Sequence, residues 1–140
     1  MSTKHDDLCR TIRLYLSQLD ILSIDTPTPG LLFTKNGTPV RSTGKGKLDI
    51  HACAPLRFYD INGSPIRVFN KRGQEIIEVG QFIAIDAKIG RDKFKTDQAS
   101  YAKAVKRHGG LAFAAYHIQD VYDELLKAGI IDETIPRPDR

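Results

Sequence analysis

From Asp6 to Leu22 the apolar residues Leu8, Ile12, Tyr15, Leu16 and Leu19 recur at the spacing of one helical face, and Thr3 with Asp6 offers a capping-box start. The Pro/Gly-rich segment Asp25 to Gly30 breaks that helix. Leu31 to Phe33 reads as a short strand, with a turn at Asn36-Gly37, and a second strand runs from Leu48 to His51. Between Arg57 and Val79 the pattern predicts hairpins turning at Asn62-Gly63 and at Lys71-Arg72-Gly73. The densely apolar stretch Phe82 to Lys88 is a central strand. Thr96 is the expected N-cap of a helix running to about His108, where Gly109-Gly110 ends it. Leu111 to Ala115 forms another buried strand, and Ile118, Val121, Tyr122, Leu125 and Leu126 mark a last helix ending near Gly129. The Pro-rich tail Ile135 to Arg140 is expected to fray.

This order predicts an α/β fold: a three-layer sandwich with a central mixed β-sheet flanked by helices. At 140 residues without a linker or repeat, the expectation is one domain over 1–140, its core from about 6 to 128 and a tail over 129–140. Hydrophobic residues at 41% and charged residues at 27% suit a globular protein, and no apolar run approaches the roughly 20 residues of a membrane span. Asp6, Asp7, Arg10 and Arg13 interrupt the first apolar segment, which excludes a secretory leader there and implies an intracellular, cytoplasmic protein. Cys9 and Cys53 have no CxxC spacing, so no disulfide framework or zinc knuckle is indicated, and Cys53 is read as core packing.

The chemistry concentrates in two places. Asp49 is followed 37 residues later by Asp86-Ala87-Lys88 at the end of the apolar run. Side chains alternate along a strand, so Asp86 and Lys88 share one face, while Ala87 points away and leaves its carbonyl in the row between them. Two carboxylates and that carbonyl make an all-oxygen site of the kind Mg²⁺ or Mn²⁺ prefers. A lysine on the same face can hold or deprotonate a metal-bound water. Confining two carboxylates together costs several kcal/mol unless a cation or partner offsets them, which favours a ligand role over two solvated charges.

The net charge of +4 is compatible with a polyanionic partner. Arg41, Lys45 and Lys47 precede Asp49, and Arg91, Lys93 and Lys95 follow Asp86, so basic residues flank both acidic halves and are candidates to hold DNA phosphates. The Gly/Lys-rich stretch from Arg41 to Lys47 lacks the spacing and terminal Lys-Ser/Thr of a Walker A loop. His108 and His117 are read as a helix-end and a loop residue rather than as general bases. Phe58, Tyr59 and Phe69 could stack on bases, although packing within the hairpins is the commoner use of such residues.

The stretch Gly46-Lys47-Leu48-Asp49-Ile50, the run Gly80 to Gly90 containing Asp86-Ala87-Lys88, the pair Asp97-Gln98, and His108-Gly109-Gly110 with the following strand and helix together resemble the PD-(D/E)XK nucleases. Within them, the likeness is to small stand-alone VRR-NUC or Holliday-junction-resolvase-like proteins of the kind found in phages, and it covers roughly residues 30 to 128. Leu48 stands where that family usually has proline, and Asp86 where glutamate is commoner. The resemblance implies a restriction-endonuclease-like fold and a Mg²⁺-dependent DNA endonuclease. Asp49, Asp86 and the Ala87 carbonyl would bind the metal, Lys88 would activate the attacking water, and Gln98 would belong to the accompanying glutamine motif. It further implies an added acidic residue from the first helix, Asp7 or Asp6, and a homodimer if paired incisions are made. Without a base-reading motif, a structure-specific or weakly sequence-specific enzyme is expected. The alternative is a catalytically inactive DNA-binding or interaction protein on the same fold.

Overall fold

The computed structural model describes residues 3–25, 31–33, 35–37, 39–41 and 46–139. Helix α1 (Lys4–Gln18) starts in the expected capping box, with Thr3 and Asp6 bonding each other's backbone N–H. It ends earlier than its periodicity predicts. Asp20 takes a left-handed φ of 59°, the Ile21 N–H returns to the Leu16 carbonyl and the Asp20 N–H to that of Ser17. These are the paired bonds of a Schellman stop, so Leu22 does not continue the helix. It opens an edge strand instead, β1 (Leu22–Asp25). Residues 26–30, which include most of the predicted break, lie outside the described residues.

A small hairpin of β2 (Leu31–Phe33) and β3 (Pro39–Arg41) precedes β4 (Ile50–Leu56), which starts one residue past Asp49. The stretch 57–78 carries the two expected turns, with Gly63 and Gly73 at positive φ and a minor hairpin of β5 (Val68–Phe69) and β6 (Glu75–Ile76). Then come β7 (Val79–Ala87), α2 (Thr96–Arg107), β8 (Leu111–Ala115) and α3 (Ile118–Lys127). The N-cap of α2 is Lys95, one residue before the predicted Thr96. Gln98 reaches back to the Lys95 N–H at 3.0 Å and makes Lys95 the boundary.

The main sheet has the order β1-β4-β7-β8, antiparallel except for the parallel β7–β8 pair. Strand alternation divides it into two packed faces. Ile50, Ala52, Ile83, Ile85, Ala87, Phe113 and Ala115 meet Ile12, Leu16, Val121 and Leu125 of α1 and α3 on one side. Ala84 and Ala112 meet Leu48 and the α2 residues Ala102 and Val105 on the other. The helices therefore flank a mixed sheet on both faces, as expected. From Ile83 to Lys88 every residue is buried, the pattern of a strand covered on both sides.

Two sequence expectations are corrected here. The tail does not fray: Ile130, Ile131 and Ile135 pack on the larger core, Tyr122 Oη donates to the Ile135 carbonyl at 2.8 Å, and Arg137 holds Asp123 through two bonds of 3.0 Å. Cys53 is exposed, because alternation along β4 sends it to the sheet face beyond the α2 residues that form the smaller core. Tyr59 and Phe69 are likewise exposed on the hairpins. Among the described residues no helix is long and apolar enough to cross a membrane.

Candidate active site

The register that pairs Ile50 with Ile85 brings Asp49 opposite Asp86, one step further toward the C-terminal end of β7. The Asp49 backbone N–H donates to Asp86 Oδ1 at 3.2 Å, and the Ala87 backbone N–H donates to Asp49 Oδ2 at 2.9 Å. Each aspartate thus takes a backbone donor on the other's strand, which fixes both carboxylates. In antiparallel pairing the N–H and C=O of one residue point to the same side of its strand, so the Ala87 carbonyl also faces Asp49. The two aspartates meet at one end of the sheet with Ala87 beside them.

Lys88 extends β7 past its last ladder position, its N–H donating to the Ala115 carbonyl at 2.9 Å. Its ammonium lies 2.7 Å from Asp86 Oδ2 and donates to Gln98 Oε1 at 2.9 Å. Gln98 Nε2 in turn donates to Asp86 Oδ1 at 3.4 Å. Asp86, Lys88 and Gln98 form a closed ring of contacts anchored on the first turn of α2, with the Phe94 ring 5.9 Å from Nζ. Asp86 is 1% exposed and Lys88 7%. Burial pushes the Asp86 carboxyl up to about 6, the nearby Asp49 carboxylate adds to that shift, and the Lys88 ammonium opposes it.

The first helix contributes something other than the acidic residue expected of it. Asp7 is exposed and pairs with Arg10 at 3.3 Å. Asp6 is occupied by its capping bonds with Thr3, which hold its carboxyl below the ordinary value. The residue that reaches the carboxylates is His5, whose Nε2 lies 3.0 Å from Asp49 Oδ2. Cys9, one helical turn later, faces the same way. Ligand atoms of His5, Cys9 and Asp49 all lie within 4.8 Å of one another, and together they border a cleft of ≈ 370 Å³. Burial, followed by the carboxylates of Asp49, Asp25, Asp86 and Asp6, pushes the Cys9 thiol up to about 12. The sequence signal for this side was the His-x₃-Cys spacing within an amphipathic helix, which places both residues on one face.

Lys47, Arg91, Lys93 and Lys95 are exposed, the last three in the loop joining β7 to α2 beside Lys88. Lys45 and the side chain of Arg41 lie outside the described residues. Two arginines not singled out beforehand, Arg10 and Arg13, border the His5 cleft, and Arg13 holds Asp25 at 2.9 Å. The remaining histidines have local roles: His108 ends α2 with Nδ1 2.8 Å from the Ala104 carbonyl, His117 is the N-cap of α3, and His51 lies 2.8 Å from Tyr101 Oη. Compared with protein-family models and with curated proteins, the chain matches none.

Proposed function

We propose that this chain is a metal-dependent nuclease of the PD-(D/E)XK type that hydrolyses DNA phosphodiester bonds. The observation that carries the reading is the ring that half-buried Gln98 closes with the buried Asp86 and Lys88, interlocked through backbone donors with Asp49. Asp49, Asp86 and the Ala87 carbonyl form a hard-oxygen donor set that would hold Mg²⁺ or Mn²⁺. Such an ion supplies positive charge to a phosphate oxygen and lowers the pKa of a bound water. A dication would also offset the burial and, after it, the Asp49 charge that raise Asp86.

The chain's own groups supply the rest. Lys88, buried and gripped on two sides, presents its ammonium beside the carboxylates, where it can orient the attacking water and steady the negative charge that develops on phosphorus-bound oxygens. Gln98 fixes that ammonium and ties it to the start of α2. Arg91, Lys93 and Lys95 stand where flanking phosphates would run, a contribution that carries no base sequence and suits a structure-specific or weakly specific enzyme. Paired cuts in branched DNA would take two copies of the chain.

The test is incubation of the purified protein with labelled junction, flap, duplex and single-stranded DNA in Mg²⁺, Mn²⁺ or EDTA, beside the Asp86→Asn and Lys88→Ala variants. Metal-dependent cutting by wild type alone is expected. Cutting in EDTA, or full activity in either variant, would overturn the mechanism. DNA binding without cutting on any substrate would establish the protein as a binder.

A further inference from the structure

On the α1 side of Asp49 the donor chemistry changes from hard oxygen to nitrogen and sulfur. We propose that His5, Cys9 and Asp49 form a second cation site, selective for a borderline divalent ion of the Zn²⁺ class, which shares Asp49 with the carboxylate pair. The imidazole and thiol are contributed by adjacent turns of one helix, and the carboxylate by the sheet onto which that helix packs. Imidazole and thiolate favour Zn²⁺, Co²⁺ or Cd²⁺ over Mg²⁺, which seeks oxygen.

The geometry is close to what such an ion requires. Tetrahedral Zn²⁺ with bonds of about 2.0 to 2.3 Å sets its donors roughly 3.5 Å apart. The donor atoms here lie within 4.8 Å of one another, and Nε2 of His5 and Oδ2 of Asp49 are already 3.0 Å apart. Small rotations of exposed or half-buried side chains on α1 close the remainder. In the metal-free chain the 3.0 Å contact with the acceptor-only Asp49 carboxylate calls for the proton on Nε2; a bound ion would take that place and leave the proton on Nδ1, which stands 3.9 Å from Asp6 Oδ1. Binding releases the Cys9 thiol proton to solvent, and the thiolate with Asp49 neutralises the two positive charges. Three protein donors leave a fourth position for water, and the cleft bordered by Arg10 and Arg13 gives access to it.

The experiment reads metal binding directly and is independent of nuclease activity, so its failure and that of the proposed function are distinguishable. Reduced full-length protein is titrated with Co²⁺ and with Cd²⁺, and thiolate-to-metal charge-transfer absorption is recorded. One equivalent of ion should saturate the band. It should persist in Cys53→Ser and Asp86→Asn and vanish in Cys9→Ser, and affinity should fall at least about tenfold in His5→Gln. Absence of the band in wild type, its persistence in Cys9→Ser, or its loss in Asp86→Asn would overturn the assignment. Alkylation mapping of wild type by mass spectrometry decides the case even if a variant misfolds: Zn²⁺ should shield Cys9 and leave Cys53 reactive, whereas equal labelling of Cys9 with and without Zn²⁺ would refute the site.

Discussion

Replacing Lys88 with methionine keeps the length of the side chain and removes the charge that faces Asp86, which tests the energetic logic of the site without reference to catalysis. In the wild type, burial raises Asp86 from an ordinary 3.8 to about 6 even though Lys88 opposes the shift. The folded protein therefore binds this proton more tightly than the unfolded chain does. By linkage, the contribution of Asp86 to stability falls as pH rises from about 4 to about 6 and then levels off. The Met variant loses the opposing influence, so its native value moves higher still, and its stability should continue to fall where that of wild type has levelled. At no more than about 1.36 kcal/mol per pH unit, and with the wild-type group still half titrated near pH 6, the gap between the two proteins should widen by up to about 2 kcal/mol between pH 6 and pH 8. It should approach the roughly 3 to 5 kcal/mol typical of a buried charge left without its partner. Loss of the charge-assisted Lys88–Gln98 hydrogen bond adds about 1.5 to 3 kcal/mol at every pH and leaves the slope unaltered. Urea denaturation in EDTA at a series of pH values from about 5 to 8 measures the gap. Parallel curves for the two proteins above about pH 6 would refute the coupling between Lys88 and Asp86.

Two more outcomes follow from the described surface and tail. Replacing Arg91, Lys93 and Lys95 together with alanine should weaken DNA binding on every substrate and reduce the log K against log[salt] slope by roughly 2 to 3 if each engages one duplex phosphate; an unchanged slope, measured in Ca²⁺ to limit cleavage, would place the DNA on another face. Truncation after Asp132 should cost about 2 to 5 kcal/mol, because Tyr122 Oη and Gln119 Nε2 lose the Ile135 and Pro138 carbonyls and the core loses Ile135; a denaturation midpoint equal to that of the full chain would contradict the docking of the tail.

The carboxylate pair was legible because it depends on short-range rules. An apolar run long enough for a central strand, a two-residue alternation that puts Asp86 and Lys88 on one face, and a strand start beside Asp49 leave few ways to arrange the three residues. Gln98 was legible only through the family resemblance; its double use, accepting from Lys88 and from the Lys95 N–H, depends on where α2 docks. His5 was missed for the same reason. Its contact with Asp49 joins residues 44 apart, and the docking angle of α1 is set by the whole core rather than by any local pattern. The early stop at Asp20 hid β1, since a left-handed aspartate has no strong composition signature, unlike Gly109 and Gly129, which end the other two helices at positive φ. Cys53 was read inward from its residue type, but the sheet extends past the cover that α2 provides; for Tyr59 and Phe69 the sequence left base stacking and hairpin packing open, and both are exposed, with Arg67 over the Phe69 ring.

Gly46 gives the approach to Asp49 a different meaning from the one its Gly/Lys-rich composition suggests. Its φ is +85°, and a Cβ there would stand 2.5 Å from the Asp97 carbonyl oxygen, so the backbone is pressed against the first turn of α2 at a point only glycine can occupy. That contact works as a fixed post three residues ahead of the carboxylate. A single residue inserted between Gly46 and Asp49 would therefore shift the carboxylate out of register with Asp86.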